Sequence, residues 1–183
     1  MENFIEELIG EYYKTKGYFV TTNYWIPFTS KRNRIQKGKE HDYVARSWTD
    51  IDVLASNKEE LLIIQIKAII NQKSTAEKVN VYFDRVEQFL QDGELNHKTK
   101  IDWWTKDVKV RKIVIYEYYS PDAYLQIIKN NKIEVFCFKD YLMELLDYIS
   151  EKEGVKEENA CMRLLHCLKN YGLLNKINKN TSL

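Results

Sequence analysis

Residues 49–68 read TDIDVLASNKEELLIIQIKA, and the way this stretch folds decides the architecture of the chain. Two runs rich in Ile, Leu and Val flank Asn57-Lys58-Glu59, a polar tripeptide of the kind that closes a β-hairpin. Side chains alternate across a strand, so Asp50 and Asp52 are expected on one face and Ile51, Val53 and Ala55 on the other. In the second run Gln65 and Lys67 share a face, and Ile64 and Ile66 point away. Leu61 to Ile64 is unbroken apolar sequence, the mark of a central strand buried on both sides. Two carboxylates, a carboxamide and an amine thus converge on one side of an otherwise apolar pair of strands.

Reading outward, residues 3–16 carry Phe4, Ile5, Leu8, Ile9 and Tyr12 at helical spacing, with Gly17 placed to end the helix. Residues 18–26 are β-branched and aromatic and predict a strand stopped by Pro27, followed by a basic loop to about residue 46. Beyond the hairpin, a helix is expected over 76–91, a loop with Trp103 and Trp104 over 93–107, and a strand over 109–119. A short helix after Pro121, a strand over 132–138 and helices over 139–152 and about 158–171 complete the chain, with a frayed polar tail. The pattern predicts an α/β fold with an αβββαβ core, a mixed central sheet flanked by helices and a helical C-terminal extension. Residues 1–153 would form the main domain, and residues 154–183 the extension packed on it.

Composition agrees. The 183 residues suffice for one domain, and 44% hydrophobic with 30% charged residues excludes a disordered or fibrous chain. No apolar run approaches the ~18 residues of a membrane span, and the first residues, MENFIEELIG, are not expected to act as a signal peptide. Three cysteines without a close pair argue against a disulfide framework, so a reducing, cytoplasmic location is expected. Lys and Arg number 28 against 27 acids, which excludes a simple polycationic coat for nucleic acid but leaves room for local charge.

An amine at the end of a buried strand requires an acidic partner. One reading is structural: an Asp52–Lys67 ion pair that holds the hairpin in register. The other is chemical. Phosphodiester hydrolysis needs a cation to offset charge growing on the non-bridging oxygens, and an activated water. Mg²⁺ accepts hard oxygens and keeps several waters. Asp52 could supply an anionic oxygen, the Gln65 amide and the Ile66 backbone carbonyl neutral ones, and Lys67 could orient or deprotonate the water.

TDIDVLA followed after a short gap by LLIIQIKA resembles the core of the PD-(D/E)xK nuclease superfamily, the restriction-endonuclease-like fold. Asp52 matches its Asp, Gln65 the acidic position and Lys67 the Lys, and the order of elements over residues 3–118 agrees. The resemblance implies a metal-dependent endonuclease acting on DNA, with Mg²⁺ or Mn²⁺ at Asp52, Gln65, Ile66 and Glu6, and no other cofactor. Glu6, 11 residues before Gly17, matches a metal-reaching Glu on the first helix of the archaeal Holliday-junction-resolvase and Mrr-like branches. Glu7 and Glu11 compete with it, since acids in a first turn also simply offset the helix dipole. Gln65 departs from the pattern by losing a charge, although the Mrr-like branch carries a Gln-x-Lys form. Asp50, ~7 Å along the strand from Asp52, could restore part of that charge or be a solvated residue. A catalytically silent nucleic-acid-binding scaffold and a Holliday-junction resolvase are the alternative functions.

Between residues 31 and 46 lie six bases (Lys31, Arg32, Arg34, Lys37, Lys39, Arg46) and two acids (Glu40, Asp42), a local +4 expected to grip a DNA backbone. Residues 98–112 carry a second run: Lys98, Lys100, Lys106, Lys109, Arg111 and Lys112. Trp48, Trp103 and Trp104 could stack on unpaired bases or anchor a core. His41, His97 and His166 lack ligand spacing, Cys137 reads as a buried thiol, and Cys161 and Cys167 lie on different helix faces. The tyrosines of IYEYY read as packing, and the last helix as a lid on the core or a dimer contact. Partners expected are DNA and, by symmetry of duplex cleavage, a second copy of the chain in a homodimer; no membrane is expected.

Overall fold

Helix α1 (Phe4–Thr15) ends where a glycine allows it. Gly17 stands at φ 86°, the Tyr18 N–H donates to the Tyr13 carbonyl (3.1 Å), and the Gly17 N–H donates to that of Lys14 (3.0 Å). This paired return satisfies the last carbonyls of the helix, and only glycine takes that φ without strain. The structure, a computed structural model, describes residues 4–36, 39–91, 108–151 and 159–171. The chain continues through β1 (Phe19–Gln36), β2 (Lys39–Ser56), β3 (Glu60–Lys67), α2 (Lys73–Gln91), β4 (Lys109–Tyr116), α3 (Asp122–Lys129), β5 (Glu134–Cys137), α4 (Phe138–Glu151) and α5 (Ala160–Asn170).

The strands form one sheet in the order β1-β2-β3-β4-β5. β1, β2 and β3 are antiparallel neighbours, whereas β4 lies parallel to β3 and β5 parallel to β4. A parallel step cannot be made by a tight turn, and α2 belongs to the long connection from β3 to β4. The αβββαβ order is therefore present in an α/β fold with a mixed sheet. The turn between β2 and β3 is closed by Asn57, whose Oδ1 accepts the N–H groups of Glu59 (2.8 Å) and Glu60 (2.9 Å).

Two apolar layers sandwich the sheet. On one face Leu54, Leu61, Ile63 and Val114 meet Val79, Phe83, Val86 and Phe89 of α2 and Leu125 and Ile128 of α3. On the other, Val53, Ala55, Leu62, Ile64 and Ile115 meet Ile9 and Tyr13 of α1 and Tyr141 of α4. Helix α5 places Cys161, Met162 and Leu165 against Leu8 of α1 and Leu145 and Ile149 of α4, the packing of a lid on the core.

Several expectations need correction. The basic segment after Pro27 is not a loop: β1 and β2 pair without register shift from Phe19↔Ser56 to Gln36↔Lys39. Pro27 does not stop the strand because β1 is the sheet edge, where a missing N–H is tolerated. β2 pairs with β3 only over Val53–Ser56, so residues 39–52 pair with β1 alone. The result is a two-stranded ribbon of about 14 residues per strand, ~45 Å at ~3.3 Å per residue.

Strict alternation fails where that ribbon leaves the sheet. Val20 and Thr22 face α1, yet Tyr24 and Ile26 face α2. Ile51 likewise joins the α2 side, while Val53 and Ala55 stay on the α1 side. The cause is Asn23, which adopts a left-handed φ of 53° opposite Asp52 and drops out of the ladder. Asn tolerates that conformation better than most residues. Smaller corrections concern Cys137, which is half-buried, and Tyr118 and Tyr119, which are exposed beyond the end of β4. Residues 92–107, with Trp103, Trp104 and His97, and the tail after 171 lie outside the described residues.

Candidate active site

The ribbon's departure creates the site. The last β2–β3 pair is Val53↔Ile64, so the Ile66 N–H on the same edge of β3 has no backbone partner from β2. The side chain of Asp52 takes its place, with Oδ2 accepting that N–H at 2.5 Å. The Lys67 carbonyl faces β4, where it accepts from the Glu117 N–H (3.1 Å). Alternation then puts the Ile66 carbonyl on the Asp52 edge.

Asp52 is held against its solvation preference. Burial pushes its carboxyl up to about 6, opposed by the Ile66 hydrogen bond and by Lys67, and reinforced by the charges of Glu6 and Asp50. Glu6, Asp50 and Lys67 are therefore the charges near enough to act on Asp52. Gln65, two residues before Lys67 on β3, is buried, and its Oε1 has no hydrogen-bond partner among the described residues. Lys67 is partly buried, and no ion pair among the described residues joins it to Asp52. What ties β2 to β3 here is the carboxylate–amide bond, not the Asp52–Lys67 bridge of the structural reading.

The three acids of α1 separate cleanly. Glu6 is buried and acts on Asp52. Glu7 accepts from the Cys161 thiol (2.6 Å), which burial pushes up to about 12, and Glu11 accepts from Lys14 (2.6 Å) and Asn159 (3.3 Å). Residues 7 and 11 are one helical turn apart and face α5; residue 6 does not share that line.

Sequence reasoning missed Tyr82. It sits in the apolar stripe of α2, is 5% exposed, and its hydroxyl has no partner among the described residues. Burial, with Asp52 and Asp50 as neighbouring charges, pushes its phenol well above the ordinary range. The available signal is a hydroxyl among Val79, Phe83 and Val86, since a buried phenol normally finds a partner.

Of the basic residues, Arg46 is exposed on the ribbon. Lys31, Arg32 and Arg34 pair with Val44, Tyr43 and His41, and Lys39 with Gln36, so all four belong to the ribbon strands. Lys37 lies outside the described residues. The second basic run is partly committed elsewhere: Arg111 pairs with Glu60 and Glu134, and Lys112 with Glu87.

Whether the set fits a cation can be asked of its chemistry. Among the described residues no three His, Cys, Asp or Glu side chains form a ready metal cluster. The oxygens this region offers are the Asp52 and Glu6 carboxylates, a buried Gln65 amide oxygen without a hydrogen-bond partner among the described residues, and a strand-edge carbonyl. Such a mixed set of hard oxygens suits Mg²⁺ or Mn²⁺, which retain waters for the remaining positions.

No protein-family model matches the chain, and no curated protein matches it. A solved structure described as a protein of unknown function, AF1548, is similar with a TM-score of 0.48 and 14% identity, covering 93% of this chain and 79% of its own. No helix among the described residues is long and apolar enough to cross a membrane.

Proposed function

We propose that this chain is a metal-dependent endonuclease of the PD-(D/E)xK kind, hydrolysing DNA phosphodiester bonds in the cytoplasm. The observation that carries the reading is the Asp52 carboxylate seated on the Ile66 amide, with buried Gln65 Oε1 lacking a partner and Lys67 alongside. Asp52 and Glu6 would hold the ion with the Gln65 amide and Ile66 carbonyl oxygens. A bound Mg²⁺ supplies positive charge for the phosphate oxygens as the bond breaks. The Ile66 N–H fixes the Asp52 carboxylate so that it need not reorganise. Lys67 orients the attacking water or takes its proton. The basic ribbon contributes sequence-independent attraction for phosphates. Cutting both strands takes two sites, so a homodimer on duplex substrate is expected.

Supercoiled plasmid incubated with the protein and Mg²⁺ or Mn²⁺ tests this directly. Nicking or linearisation lost in both Asp52→Ala and Lys67→Ala supports the enzyme. Intact plasmid under every metal, with salt-sensitive DNA binding retained, would replace it with a silent scaffold.

A further inference from the structure

The ribbon carries a surface that phosphate attraction does not explain. Tyr24, Ile26 and Phe28 turn toward α2, where Ile26 is fully buried and Arg85 stacks over the Phe28 ring at 4.3 Å. Alternation sends Trp25 and Pro27 to the opposite face, together with their partners Asp50 and Trp48 and, one step on, Arg46. Trp25 is 57% exposed and Trp48 61%. Two indoles left in water on one face are costly unless something covers them.

Their spacing is informative. Trp25 pairs with Asp50 and Pro27 with Trp48, so the two tryptophans are diagonal neighbours, ~7 Å apart at the backbone. That is about twice the ~3.4 Å base step of a nucleic acid strand, the room two rings need to hold one base between them. Trp25 stands opposite Asp50, two residues along β2 from Asp52, so the aromatic pair begins beside the candidate metal ligands. Arg46 places an exposed cation ~7 Å beyond Trp48 on the same face.

We infer that this face is a stacking platform for unpaired bases, and that the substrate is nucleic acid with a single-stranded segment, such as a fork or flap, with the duplex beside it. Sequence-tolerant stacking on aromatics next to a basic track is how single strands are held. Bases inside a duplex expose no π-face to such a pair. A second copy of this chain is the poorer occupant, because each ribbon carries +4 between residues 31 and 46 and two would repel. The inference rests on the nuclease reading and names its substrate class.

The test measures binding without divalent metal, using full-length protein, EDTA and fluorescein-labelled oligonucleotides as single strand, blunt duplex and fork. The fork is expected to bind at least tenfold tighter than the duplex and to quench indole emission. Trp25→Ala with Trp48→Ala should lower fork affinity tenfold or more while leaving duplex affinity within about twofold. Trp25→Phe with Trp48→Phe, which keeps two rings, should retain most of the preference. Equal binding of fork and duplex, or an alanine double variant with unchanged fork affinity, overturns the platform. An alanine double variant that loses a dimer on sedimentation but keeps fork binding assigns the face to a second copy, and overturns it too. If fork preference holds while no substrate is cleaved with Mg²⁺ or Mn²⁺, the catalytic reading fails and the platform stands.

Discussion

The two ends of β3 hold polar clusters of opposite character. At its start, Glu60 meets Arg111 of β4, which also binds Glu134 of β5 through two bonds of 2.7 Å each. Tyr18 donates to Glu60, its phenol pushed up to about 12 by burial and that bond, and Glu134 is held below its ordinary range by Arg111. Glu60, Arg111 and Glu134 each have a charged partner. At the other end Asp52 is raised to about 6 by burial, and Gln65 and Tyr82 bury polar atoms without a hydrogen-bond partner among the described residues. Such groups are destabilising in a folded chain. One end of the strand is built to hold the sheet together, and the other carries a buried carboxylate and buried oxygens without a hydrogen-bond partner among the described residues.

The contrast can be broken from either side. The largest effect is expected from Lys67→Ala, which should reduce plasmid cleavage by ~10²–10⁴-fold. Urea unfolding of the same variant should show little loss, because Lys67 makes no ion pair among the described residues. At the satisfied end the pattern should reverse. Arg111→Ala leaves two carboxylates facing each other half-buried, and a loss of about 2 kcal/mol is expected in urea melts, with cleavage per folded molecule unchanged. Glu134 has its folded pKa depressed, so its contribution is present above the ordinary value of 4.5 and fades as pH falls through the depressed one. The Arg111→Ala deficit should therefore shrink toward pH 3.

Asp52→Asn sharpens the comparison further. The native state binds the Asp52 proton more tightly than the unfolded state, so wild-type stability drops as pH rises from about 4 to 6, by up to ~3 kcal/mol. Asn keeps an acceptor for the Ile66 N–H and carries no charge. It should be more stable than wild type at pH 8 by up to that amount, level with it below pH 4, and inactive. Mg²⁺ should raise the melting temperature of wild type at pH 8 and leave Asp52→Asn unmoved; equal shifts in both would count against Asp52 as a ligand. The smallest effect belongs to the turn: Asn57→Ala removes the acceptor for two N–H groups and should cost about 1 kcal/mol in the same melts, with no change in catalysis.

Much of this was legible in the chain. Asp52, Gln65 and Lys67 could be brought together because the two strands flank a three-residue turn, and pairing across such a turn follows from period-two patterning. Gly17 announced the end of α1. Glu6, Glu7 and Glu11 could not be separated, because all three lie near the margin of an apolar stripe; α5, which engages Glu7 and Glu11, decided among them. The ribbon was hidden for another reason. Its basic residues resemble a solvated loop, and nothing local shows that Pro27 lies on an unpaired edge. Tyr82 gave no signal because its ring lies in the apolar stripe of α2; only the nearby Asp52 carboxylate makes its hydroxyl informative.

By itself the amino-acid order determined the α/β class and the hairpin, and set an aspartate on one strand against a buried glutamine and, two residues on, a lysine on the next. These follow from spacings within a few residues, where backbone geometry leaves little choice. Tertiary structure alone decided where β2 abandons β3: one ribbon face packs on α2 while its base lies under α1, and left-handed Asn23 reverses the faces between them. That departure freed the Ile66 amide for Asp52 and turned Trp25 and Trp48 outward. Both are contacts between distant segments, and no local periodicity encodes them.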